Sequence, residues 1–117
     1  MHAFHLGIDV AKAKLDCALR LPDGKFFHKV VENKQTAFTQ LLTFLGKHHA
    51  QGVHVCMEAT GIYWEAIAEF LAAREGFTVS VMNPAQIQAF AACRLTRTKT
   101  DKVDAKLMAA FCADRGP

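Results

Sequence analysis

Two short apolar runs, each ending in a carboxylate, constrain this chain more than any other feature. The first is Leu6-Gly7-Ile8-Asp9-Val10 and the second Val53-His54-Val55-Cys56-Met57-Glu58. Runs of this length and apolarity read as strands buried inside a sheet. An ionised carboxylate there is costly unless a cation or strong hydrogen bonds compensate it. The chain must therefore build a covered sheet that brings Asp9 and Glu58 to places where their charge can be met.

The remaining pattern supplies that sheet. Residues 14–20 alternate, with Leu15, Cys17 and Leu19 on one face and Lys14, Asp16 and Arg20 on the other, the mark of a half-buried strand. Leu21-Pro22-Asp23-Gly24 has turn chemistry, and a third strand over 26–32 completes an antiparallel meander. Asn33 is placed to cap a helix over 35–48 with the stripe Phe38, Leu41, Leu42 and Leu45. Gly52 precedes the fourth strand, 53–58. Thr60 is expected to cap a helix carrying Ile62, Ala66, Ile67, Phe70 and Leu71, ended by Gly76. Residues 77–82 form the fifth strand, and Asn83-Pro84 starts a short helix over 85–93. A polar, basic stretch, 94–100, leads to a last helix over 101–113 with Val103, Leu107, Ala110 and Phe111 turned inward. The order β-β-β-α-β-α-β-α-α gives an α/β fold: a mixed five-stranded sheet with helices on both faces.

At 117 residues the chain makes one domain, and 51% hydrophobic residues are enough for a core. The net charge of +3 is compatible with a polyanionic partner without demanding one. Its distribution says more, because Arg94, Arg97, Lys99, Lys102 and Lys106 bunch together. Cys17, Cys56, Cys93 and Cys112 form no Cys-x-x-Cys pair, so zinc is not expected and the thiols read as reduced and mostly buried. With no secretory segment and no apolar stretch near the ~20 residues that cross a bilayer, the expectation is a cytoplasmic protein. The abrupt end after the last helix reads as a domain cut from a longer protein.

In a sheet of this order the first and fourth strands can be central neighbours, with Asp9 beside Glu58 at the strand ends where α/β sheets place ligands. Asp101 and Asp104, three apart on the last helix, share one of its faces. Mg²⁺ suits such oxygen donors, with Mn²⁺ as a substitute. Four acids suffice for two ions about 3.5–4 Å apart, the arrangement that serves in-line phosphoryl displacement. Each acid also has a plainer reading: Asp101 as a helix-start residue, Asp104 as a solvated first-turn acid, Asp9 bonding backbone amides, Glu58 capping the next helix. Tyr63 and Trp64, the only residues of their kinds, are expected to pack in the core, with base stacking as the alternative.

Gly7-Ile8-Asp9-Val10-Ala11-Lys12, Met57-Glu58-Ala59-Thr60-Gly61-Ile62-Tyr63-Trp64, Val81-Met82-Asn83-Pro84-Ala85-Gln86 and Arg97-Thr98-Lys99-Thr100-Asp101-Lys102-Val103-Asp104-Ala105 together resemble the DEDD-type insertion-sequence transposases over residues 4–113. The resemblance implies a RuvC-like, ribonuclease H-like fold, with Asp9, Glu58, Asp101 and Asp104 as a catalytic, metal-binding tetrad. It also implies Mg²⁺-dependent DNA cleavage and rejoining, a homo-oligomer, and in some members an element-encoded guide RNA. A second, C-terminal domain bearing a serine nucleophile would lie outside this chain. Arg94, Arg97, Lys99, Lys102 and Lys106 would then hold nucleic-acid phosphates. The alternatives are a Holliday-junction-resolvase-like nuclease and a non-catalytic nucleic-acid-binding and dimerisation module. An actin-like ATPase also opens on Gly-Ile-Asp, but its further phosphate and adenosine loops are missing from this sequence.

Overall fold

Three antiparallel strands, β1 (Phe4–Val10), β2 (Lys14–Arg20) and β3 (Phe26–Glu32), open the chain. In the computed structural model, which describes residues 3–59, 61–92 and 104–116, a 3-10 turn (Gln35–Ala37) and helix α1 (Phe38–Lys47) follow. Then come β4 (Val53–Glu58), α2 (Glu65–Ala72), β5 (Phe77–Met82), α3 (Pro84–Ala92) and α4 (Ala105–Arg115). The strands lie in the order β3-β2-β1-β4-β5, with β4 parallel to both β1 and β5. The two carboxylate-bearing strands are therefore adjacent at the centre of a mixed five-stranded sheet.

Period-two alternation divides the core between the two faces of this sheet. Leu6, Ile8, Leu15, Leu19, Val55 and Met57 turn to α1 and α2, where they meet Phe38, Leu41, Leu45, Ile67 and Leu71. On the other face Cys56 and Met82 meet α3 and α4 through Ile87, Phe90, Met108 and Phe111. Cys17, Cys56 and Cys112 are buried free thiols, as expected, while Cys93 lies outside the described residues. Burial pushes the Cys17 thiol up to about 12. The hydrogen bond to Cys56, and then burial, push Cys112 up as well. Both are neutral and poorly nucleophilic at ordinary pH.

Helix α4 lies in a trough of small residues. The strand register aligns Ala18, Gly7, Cys56 and Ser80 in one row across β2, β1, β4 and β5, and α4 presents the buried Ala105 and Ala109 to it. Helix and strand backbones touch at Gly7. A β-carbon there would overlap the Ala105 carbonyl oxygen and the Ala109 amide nitrogen, and would lie 3.0 Å from the Met108 carbonyl carbon.

Helix boundaries depart from the sequence expectations in three places. Asn33 does not cap α1, because its side-chain amide donates to the carbonyls of Ala11 and Tyr63 instead; the 3-10 turn starts without a side-chain cap. Helix α2 begins at Glu65, so Ile62 is not part of its buried stripe and is 69% exposed; the expected cap, Thr60, lies outside the described residues. Helix α4 begins at Ala105, with Asp104 before it in extended backbone (φ −132°, ψ −179°). Asp104 therefore precedes the helix rather than lying within it, and Asp101 is outside the described residues. Asn83 behaves as expected: its Oδ1 accepts from Ala85 N at 2.8 Å, and the Gln86 side chain accepts from Asn83 N at 3.4 Å, a reciprocal cap with Pro84 in the first helical position.

Replacing Gly7 by Ala forces α4 off the sheet, since the obstructing atoms are helix backbone. The expected cost is about 1–3 kcal/mol in denaturant unfolding, with hydrogen-exchange protection lost first from the α4 amides.

Candidate active site

Asp9 and Glu58 stand at the carboxyl ends of the two central strands, both half-buried. The parallel register runs from Phe4 opposite Val53 to Ile8 opposite Met57, so one further step places Asp9 opposite Glu58. Both follow the parity of Gly7 and Cys56 and point to the α4 face. Neighbouring strands are about 4.8 Å apart, so the two carboxylates are cross-strand neighbours. Asp16 is Asp9's partner on the other side, and directly opposed antiparallel residues share a face. Three acids therefore stand side by side across β2, β1 and β4. The ion pair between Lys14 Nζ and Asp16 Oδ2, at 3.8 Å, offsets part of this charge; two partly exposed groups gain little from it. Period-two reading had placed Asp16 on the solvent side of its strand, and only the sheet register reveals that it adjoins Asp9.

Asp104 comes to the same face from above. It is the N-cap of α4, and its Oδ1 accepts the Leu107 amide hydrogen at 2.9 Å. The next residue, Ala105, rests on Gly7, two positions before Asp9 in β1, so the start of α4 lies on the sheet face that carries Asp9 and Glu58. The cap uses one lone pair of a carboxylate that offers about four acceptor sites, so capping and cation binding are compatible. Asp9, Glu58 and Asp104 share a face without closing into a tight ligand set. Among the described residues, the one trio of His, Cys, Asp or Glu donor atoms lying within 4.8 Å of one another is His54, Cys56 and Cys112.

Asp101, Arg94, Arg97, Lys99 and Lys102 lie outside the described residues. Lys106 is exposed on α4, with its Nζ 5.1 Å from the Phe26 ring centroid. Phe26 is level with Arg20, and Arg20 with His5, so the ammonium leans toward the end of the sheet opposite Asp9.

The loops behind the acids are tied together by a residue the sequence reading had assigned elsewhere. Asn33 Nδ2 donates to Ala11 O at 2.9 Å and to Tyr63 O at 3.0 Å, joining the turn that follows Asp9 to the turn that follows Glu58. Gly61 takes a positive φ of 66°, and Trp64 Nε1 donates back to its carbonyl at 2.9 Å. Trp64 packs at the core edge as expected. Tyr63 does not: it is 43% exposed and stands beside exposed Ile62, because the turn ends before α2 begins and leaves its ring outside.

A five-stranded sheet ordered 3-2-1-4-5, with acids at the ends of its first and fourth strands, defines the RuvC-like class of the ribonuclease H-like fold. Solved structures agree. Thermus thermophilus RuvC superimposes with a TM-score of 0.64 at 15% identity, covering 97% of this chain and 96% of that one. The same protein in complex with Holliday junction substrate gives 0.63 at 18% identity, covering 98% and 97%. Within that class, residues 6–117 match the DEDD transposase family of the IS110 type, and the chain belongs to that family. It is 35% identical over 119 aligned positions to the pilin gene-inverting proteins of Moraxella lacunata and Moraxella bovis. All of this chain, but only 36% of each relative, is aligned.

Two substitutions separate support from chemistry. Asn33→Ala should lower stability by about 1–2 kcal/mol, two hydrogen bonds at about 1 kcal/mol each, in urea unfolding. Asp104→Ala should cost about 1 kcal/mol through the lost cap, and Asp104→Asn almost nothing, since asparagine caps equally well; the midpoints of the two variants in one denaturant series check this.

Proposed function

We propose that this chain is the RuvC-like catalytic domain of a DNA transposase or recombinase, using Asp9, Glu58, Asp101 and Asp104 to hold divalent magnesium, two ions in the working state. The observation that carries this reading is the sheet register that puts Asp9 beside Glu58 on the face where α4 brings Asp104. A divalent cation at this end of the sheet would find carboxylate oxygens offered by two adjacent strands. The donor set, all carboxylate oxygen, fits magnesium or manganese rather than a softer metal. When bound, such ions polarise the scissile phosphate and balance charge at the leaving oxygen. The protein's part is to fix the acids on rigid strands, to tie the loops behind them through Asn33, and to leave Ile62 and Tyr63 exposed beside them for a base or sugar. Arg94, Arg97, Lys99 and Lys102 would bind flanking phosphates, giving affinity without sequence information; Lys106 would serve a more distant part of the same strand.

The printed descriptions of the relatives support DNA as the substrate: one protein inverts a pilin gene and the other binds a Holliday junction. Because the chain spans about a third of its relatives' length, cleavage and rejoining are proposed for the whole protein, with this domain as its metal-binding part. A guide RNA and self-association belong to the same proposal. None of the described helices is long and apolar enough to cross a membrane, which is compatible with action in the cytoplasm.

Titration of Mn²⁺ and Mg²⁺ into the wild type and into Asp9→Asn/Asp104→Asn, by calorimetry and thermal shift, tests the reading. The double variant keeps the α4 cap and loses two charges, so without metal it should melt above the wild type. Metal at a hundred times its Kd should stabilise the wild type by about 2.7 kcal/mol and leave the variant unchanged. Equal responses would assign the acids a structural role.

A further inference from the structure

We propose that His54, Cys56 and Cys112 form a zinc site that fastens α4 to β4. The site is separate from the carboxylates and does not depend on the proposed function. His54 and Cys56 alternate on β4, so both face α4, and Cys112 comes down from that helix. The three donor atoms lie within 4.8 Å of one another and all three residues are buried. The two sulfurs are 2.6 Å apart, and Cys112 Sγ lies 3.5 Å from the His54 carbonyl oxygen.

Two thiols pressed together inside an otherwise apolar cluster gain little from each other. A zinc ion between them changes the balance. Zn–S bonds of about 2.3 Å hold two thiolates about 3.8 Å apart at a tetrahedral angle, so the sulfurs need only separate by the width of a bond. Binding releases both thiol protons to solvent, and Zn²⁺ with two thiolates and neutral imidazole carries no net charge, the form that tolerates burial. His54 is oriented for the purpose: one ring nitrogen, Nε2, is 2.8 Å from Ser80 Oγ, the kind of outer hydrogen bond that fixes a metal-binding imidazole. His5 is level with His54 on the adjacent strand, their ring centroids 6.3 Å apart, so a second imidazole adjoins the trio. The donors come from β4 and α4, so no motif spacing exposes them. The ion would clamp the helix that carries Asp104 to the strand that carries Glu58.

Cobalt reports on such a site because thiolate ligation gives intense sulfur-to-cobalt absorption that carboxylate ligation does not. Co²⁺ titrated into the reduced, chelator-treated chain should give these bands with an end point at one equivalent, and Zn²⁺ should displace them. Cys112→Ser should abolish the bands, and Cys17→Ser, on the opposite face of the sheet, should keep them. The Asp9→Asn/Asp104→Asn variant should also keep them, so failure of the carboxylate site is distinguishable from failure of this one. A reduced wild type without sulfur-to-cobalt bands, or one in which Cys112→Ser leaves them unchanged, would overturn the proposal. The wild-type titration decides even if a variant does not fold.

Discussion

The contact of α4 with β1 at Gly7 is the constraint on which the rest of this structure depends. Helix and strand backbones meet there with no side chain between them, and the row Ala18, Gly7, Cys56 and Ser80 supplies the trough. Because close-packed interiors do not deform smoothly, this one approach fixes the helix's height and position together. Asp104 at its start and Cys112 near its end are placed by the same contact. A β-carbon at Gly7 would disturb both ends of the helix at once.

On this face of the sheet, groups that stabilise the fold lie among the candidate site residues. Asp104 caps α4 on the sheet face that carries Asp9 and Glu58, so the proposed site would share one carboxylate with the helix. Asp16 and Lys14 add a charge of each sign at the neighbouring position, which lessens repulsion without removing it. Asn33 contributes no charge and makes two backbone contacts, which set the spacing of the loops behind Asp9 and Glu58. Ile62 and Tyr63, in the turn that Asn33 ties, remain exposed.

All five strands were legible because alternation and turn chemistry are local. Phe4–Val10, Lys14–Arg20, Phe26–Glu32, Val53–Glu58 and Phe77–Met82 agree with the ranges expected from apolar pattern alone. Helix starts were less legible, because a capping side chain can be claimed by distant partners. Asn33 is a good cap by type, yet carbonyls 22 and 30 residues away in the chain take its amide. Ile62 fits a helical stripe by spacing, but the turn through Gly61 delays α2 until Glu65. Asp104 and Asp101 are three apart, the spacing of a shared helix face, but Asp104 sits before the helix as its cap.

Local pattern alone was enough for the strands, their order of connection, the family through four spaced motifs, and the acids Asp9, Glu58, Asp101 and Asp104 as residues of interest. Those follow from periodicity and residue chemistry, which act over a few neighbours. Folding in three dimensions was needed to set Asp16 beside Asp9, to let Asn33 brace the loops behind the acids, and to bring His54, Cys56 and Cys112 together. Each of these depends on strand register or on the seat of α4, and those are set by packing between residues dozens of positions apart, where no local pattern carries the information.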